Sequence, residues 1–186
     1  MSDTHAVESL AQIEPLTNDE LVDKLNALGV YFLHGGDEVR PENDTEIDPK
    51  LLLTGLTTSN EARMRLALIP LLLQRPDYAE SVILVLPHLS EEASITIRCY
   101  YTAAVFLQKE YYARLEKLVS HGQELPDLFS QELGLSVDDY DPQKTLKGLA
   151  NCHAKLSGLA INWLGTYHHA VQQYLRFVEH RQLWHD

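Results

Sequence analysis

Five histidines gather towards the C-terminus: His153, His168, His169, His180 and His185. Imidazole is the side chain best suited to bind a metal or to act as acid and base near neutral pH. A metal site would need two of them three or four residues apart on one helix face, with carboxylates aimed inward. His168 and His169 are neighbours and point apart, and the nearest carboxylate, Glu179, lies more than two turns beyond His169. No metal ligand set and no cofactor are therefore assigned, and these histidines read as surface or cap residues. Cys152 and His153 could be a nucleophile and its base, but adjacent helical residues diverge by about 100 degrees and no oxyanion donor accompanies them. No Gly-rich loop follows a strand and no HExxH occurs, so nucleotide hydrolysis and zincin chemistry are not indicated.

The most distinctive local cluster is Asn162-Trp163 with Gly165-Thr166-Tyr167-His168-His169. Trp163 and Tyr167 are four apart and share a helix face. Two accounts stay open: an aromatic pair in the core, or an aromatic hot spot with polar neighbours that anchors a partner. Gln108 divides the same way, into a buried amide satisfied by a neighbouring helix or a contact in a polar pocket. Tyr100, Tyr101, Tyr111 and Tyr112 form two adjacent pairs on one helix, so some rings should reach a second surface suited to self-association or to a partner. The candidate binding surface is thus Gln108, Tyr111, Trp163, Tyr167, His168 and His169.

Helices must position these groups. Thr17 and Glu20 make a capping box ahead of Leu21, Val22, Leu25 and Leu28, and Gly29 suits a left-handed stop. Gly35 to Asp48 is acidic, rich in turn formers and poor in apolar residues, as an exposed linker would be. Asp48-Pro49 caps and opens a short apolar helix. Ser59 and Asn60 offer the next cap, and Pro70 should kink the apolar helix that follows. Asp77 and Glu80 read as a cap and its N3 acid, and Ser90 starts a long third helix. Ile97, Tyr101, Ala104, Gln108, Tyr111, Leu115 and Leu118 continue along one face of it, at steps of four and three. Pro126 to Gly134 predicts a short helix, and Asp141-Pro142 a second cap-plus-proline start. Leu146, Leu149, Cys152, His153, Leu156 and Leu159 mark the fourth main helix, broken near Gly158. A last helix runs from Asn162, and the short connection favours an antiparallel pair. No useful strand alternation competes. The expectation is an all-α bundle over residues 49–186, preceded by a flexible start (1–16) and an acidic helix plus linker (17–48).

A chain of 186 residues supports one domain with a sizeable core. No apolar run is long enough to span a bilayer, and Met1 to Leu16 lacks a signal-peptide pattern, so a cytoplasmic, non-membrane protein is the expectation. Cys99 and Cys152, the only cysteines, have neither metal-site spacing nor disulfide density and read as small buried apolar residues. The net charge of -12 is uneven: residues 1–50 hold 12 acids and 3 bases, whereas residues 51–121 hold 7 of each. A protein that binds nucleic acid by itself needs a concentrated basic face, so direct nucleic-acid binding is disfavoured and a protein partner is easier to accommodate.

Leu56 to Leu89, with Arg63 or Arg65 near the start and the bend at Pro70, resembles a HEAT-like helix pair. It covers about one repeat unit, whereas a solenoid stacks roughly three or more. The strings ARMRLALIPLLLQRPDYA, YYTAAVFLQ, LPDLFSQELGL and LSGLAINWLGTYHHA resemble an uncharacterised group of small bacterial all-helical proteins. Such proteins tend to be encoded beside a nucleotidyltransferase, in pairs that look like toxin–antitoxin modules. The resemblance implies a nucleotidyltransferase-like protein partner and assigns no chemistry. Helical partners of that kind include HEPN ribonucleases, which use an arginine and a histidine with four to six residues between them. Arg114 and His121 have that spacing, although Leu115 stands where those sequences carry a polar residue and His121 adjoins Gly122. The preferred expectation is a non-enzymatic protein-binding or regulatory module, without catalytic residues. The alternatives are a HEPN-like ribonuclease on Arg114 and His121, and a histidine-bound metal protein.

Overall fold

A computed structural model describes residues 15–31, 47–118 and 123–183. Within these it is all-α, and no strand occurs among the described residues. The helices are α1 (Asn18–Ala27), α2 (Pro49–Thr58), α3 (Ala62–Leu66), α4 (Leu68–Gln74), α5 (Ala79–Val85), α6 (Glu91–Glu110), α7 (Tyr112–Leu118), α8 (Pro142–Ser157) and α9 (Trp163–Gln182). The frayed start expected before Pro15, most of the linker expected over Gly35 to Asp48, His121 and His185 lie outside the described residues.

Local chemistry explains most helix starts. Thr17 accepts from the Glu20 N–H while the Glu20 carboxylate accepts from the Thr17 N–H at 2.8 Å, closing the capping box of α1. Asp48, Ser90, Asp141 and Asn162 cap α2, α6, α8 and α9 through their side chains, and Gly158 stops α8 at φ +68°.

Four local expectations need correction. The helix after α2 has Glu61 at its N-cap without a side-chain cap bond, and Ser59 Oγ instead accepts from the Glu61 N–H at 3.2 Å. The break attributed to Pro70 falls at Ala67, between α3 and α4. Proline removes the bond to the residue four back and crowds that carbonyl, so its effect lands about one turn upstream. Asp77 does not cap a helix: its carboxylate grips the Arg75 guanidinium at 2.9 and 2.6 Å, and Pro76–Tyr78 forms a 3₁₀ turn. Pro126 to Gly134 is not a helix but an irregular segment ending in turns, with the Pro126 carbonyl held by Tyr101 Oη at 2.8 Å.

Helix α6 is the centre of the bundle, packed against α2, α4, α8 and α9. From Cys99 to Leu107 every residue is buried, so this part of the helix has no outer face. Tyr100 and Tyr101 therefore both point into the core, and of the two adjacent tyrosine pairs it is the second that reaches the surface, through the exposed Tyr112. The long third helix also breaks at Tyr111, where α6 ends and α7 begins. No Gly or Pro marks this break, and the contacts around it come from α9.

Helix α1 adds Leu21 and Leu25 to the same core. Its approach to α2 is close at Gly55, where an added Cβ would lie 2.8 Å from Leu21 Cδ2. Among the described residues no helix is long and apolar enough to cross a membrane.

Candidate functional site

The Trp163 to His169 cluster is divided by the first turns of α9. Trp163 and Tyr167 face inward and are buried, at 7% and 0% exposure, so they belong to the core rather than to an open binding surface. Tyr167 Oη meets His153 Nδ1 of α8 at 2.7 Å, and the His153 ring stacks on Trp163 with centroids 3.6 Å apart. Tyr100 of α6 meets the His153 and Trp163 rings edge-on. Burial holds the His153 imidazole at a pKa of about 4 and pushes the Tyr100 phenol up to about 12; it also raises Tyr167. The group is a neutral, tightly packed joint between α6, α8 and α9, not an acid–base pair poised near neutral pH.

The thiols are equally unsuited to nucleophilic chemistry. Burial pushes Cys99 up to about 12, and Cys152 is also raised, so neither supplies a thiolate at neutral pH. Cys152 Sγ lies 3.6 Å from the Leu133 carbonyl, while His153 is engaged by Tyr167.

Gln108 is satisfied by a loop rather than by a neighbouring helix. Its Nε2 donates to the Gln123 carbonyl at 3.0 Å and its Oε1 accepts from the Leu125 N–H at 2.7 Å, clamping the chain that leaves α7. His168 lies between the Leu164 carbonyl and the Glu110 carboxylate, both at 3.0 Å, whereas His169 is exposed. Tyr111, half-buried at the α6–α7 break, accepts from Gln172 Nε2 at 3.4 Å. These residues join α9 to the end of α6. Arg114 on α7 gives two hydrogen bonds to Glu179 Oε1 of α9, at 3.1 and 2.6 Å. Its guanidinium is thus turned towards a carboxylate on another helix. Among the described residues no group of three or more His, Cys, Asp or Glu side chains is arranged to hold a metal.

A surface that the sequence reading did not single out lies at the α8–α9 corner. Leu156, Leu159 and Ile161 are 46%, 50% and 46% exposed, three large apolar side chains within six residues. Leu156 and Leu159 were expected to extend the buried face of the fourth helix. Leu156 stands in the last turn of α8 and Leu159 just past the Gly158 stop, and both are exposed. Two residues past the corner, Trp163 Nε1 is buried with no acceptor among the described residues. The available signal was the apolar run on either side of a glycine stop. Periodicity alone assigns such residues to the core.

Charge is also distinctive here. From Pro142 to Val178 the chain contains Lys144, Lys147, Lys155 and Arg176 and no acidic residue, within a protein of net charge -12. Lys144 pairs with Asp138 at 3.3 Å, whereas Lys147 and Lys155 are exposed and make no ion pair among the described residues. With Asn151 between them, they follow at i, i+4 and i+8 along one exposed face of α8, whereas Leu156, two and a half turns beyond Lys147, lies on the opposite side of that helix and Leu159 lies past its end.

No family model matches this chain, and neither any curated protein nor any solved structure matches it.

Proposed function

We propose that this protein is a non-enzymatic, cytoplasmic helical module that docks on another protein through the α8–α9 corner. The observation that carries the reading is the exposed trio Leu156, Leu159 and Ile161 beside a rigid aromatic joint. Contiguous exposed apolar residues on a rigid support are a common basis for protein recognition. The groups best suited to catalysis are otherwise committed: His153 to Tyr167, His168 to Glu110 and Arg114 to Glu179.

The partner implied by the sequence resemblance is a nucleotidyltransferase-like protein encoded next to this one. Co-expression with the neighbouring gene product tests the reading. The two proteins should co-purify, and Leu159→Asp should remove the partner while preserving the helical circular-dichroism spectrum. Retention of the partner by the Leu159→Asp protein would contradict docking at this corner.

A further inference from the structure

At the far end of α9 from the docking corner, we infer a binding site for a small aromatic monocarboxylate, with its carboxylate on Arg181 and its body against Tyr31, Phe177 and Val178. The spacing of residues on α9 builds one wall. Tyr174, Phe177, Val178 and Arg181 follow at i, i+3, i+4 and i+7, so they share one face of the helix. The turn after α1, with Tyr31, and the last residue of α4, Gln74, stand opposite that face. Gly29 at φ +80° reverses the chain, so that Val30 enters the core and Tyr31 reaches the cleft. Phe177 and Val178 are half-buried there, and the cleft has a volume of about 480 Å³. That volume lies within the range of small-molecule sites, about 300–1,000 Å³.

The polar groups of the cleft select the ligand. Among the described residues Arg181 is the one charged side chain that lines it, and no acid does. Its guanidinium carbon lies 4.2 Å from the centroid of the Tyr31 ring, a cation–π contact that restrains the arginine beside the cleft. Its side-chain N–H groups make no hydrogen bond or ion pair among the described residues, so the planar fork can grip a carboxylate through two bonds. Tyr174 Oη donates to Gln74 Oε1, which fixes the amide and leaves its Nε2 as a second donor. That nitrogen sits beside Gly29, where an added Cβ would stand 3.9 Å from it. One cation balances one negative charge, whereas a phosphate dianion would keep an excess charge against a chain of net charge -12. A cationic ligand is repelled by Arg181, and a neutral one gains nothing from its charge. The aromatic walls Tyr31, Tyr174 and Phe177 favour a flat aromatic body through offset and edge contacts.

The docking corner lies about 30 Å away along the 20 residues of α9, so this site and that surface are tested separately. The probes are naphthylacetate, its neutral isostere naphthylacetamide and naphthyl phosphate, titrated into the full chain by calorimetry and amide NMR. Naphthylacetate should bind with a Kd below about 1 mM and at least roughly tenfold more tightly than the amide, as a charge-assisted pair with Arg181 requires. Its resonance shifts should concentrate at Gly29, the Gln74 side chain and Val178, and spare Trp163 to Tyr167. Arg181→Gln should reduce naphthylacetate to the affinity of the amide. Val178→Trp should exclude both compounds by filling the cleft, and both variants should keep the helical circular-dichroism spectrum. Equal binding of acid and amide to the wild-type chain, or naphthylacetate binding insensitive to Arg181→Gln, would overturn the inference. Absence of binding at about 1 mM, a weak limit for specific recognition, would do the same. Tighter, Arg181-dependent binding of naphthyl phosphate would overturn the monocarboxylate in favour of a phosphoryl group.

Discussion

Burial of the His153 imidazole makes the fold sensitive to acid at a single side chain. Its pKa falls to about 4 in the folded protein because the charged ring would lose water within the core. The unfolded chain binds the proton more readily, at about 6.5, so the stability associated with neutral His153 is present above that value. It is lost as pH falls towards the folded value. Linkage gives a loss of about 2 kcal/mol from this group between pH 7 and about pH 5. Urea unfolding at both pH values should show wild type losing that much more stability than a His153→Gln variant. Equal losses would show that the ring is hydrated in the folded protein.

At the scale of elements, the close approach of α1 to α2 depends on Gly55. A methyl group there would lie 2.8 Å from Leu21 Cδ2, and Leu21 is one of the residues that bury α1. Gly55→Ala should improve the intrinsic propensity of α2 by roughly 1 kcal/mol while forcing Leu21 to shift. The expected outcome is faster amide exchange over Asn18–Ala27 than in wild type, with α6 unchanged. Unchanged exchange in α1 would show that Leu21 adapts without loosening the helix.

The same scale shows what could be read from sequence. Starts at Thr17, Asp48, Ser90, Asp141 and Asn162 were legible because a cap and the N–H it serves lie within three residues. The break at Ala67 was displaced because the effect of Pro70 appears at the carbonyl four residues back. The Tyr111 break had no local mark, and its neighbours His168 and Gln172 come from α9. Asp77 has a cap-like position, but Arg75 is close enough to claim it. Complete burial of α6 from Cys99 to Leu107 depends on helices distant in sequence, so the tyrosine pairs could not reveal which rings were exposed. For the same reason the pairing of Trp163 and Tyr167 was legible while the choice between core and partner surface stayed open until their burial decided for the core, and Leu156 and Leu159 were placed in a core they leave.

Across the whole molecule, rigidity and exposure occur side by side. The His153–Trp163–Tyr167 joint fixes the start of α9, and the chain immediately before it carries the exposed apolar trio. A second, smaller apolar exposure occurs at Ile83 and Leu84 on α5, at 50% and 57%, without a comparable aromatic support. Docking at the corner should bury the trio while leaving α5 accessible. The central measurement is hydrogen–deuterium exchange on the complex with the co-purified partner, compared with the isolated protein. Slower exchange over residues 155–165, with Ala79–Val85 unchanged, is the predicted result. Protection confined to Ala79–Val85, with the corner exchanging as it does in isolation, would contradict the account.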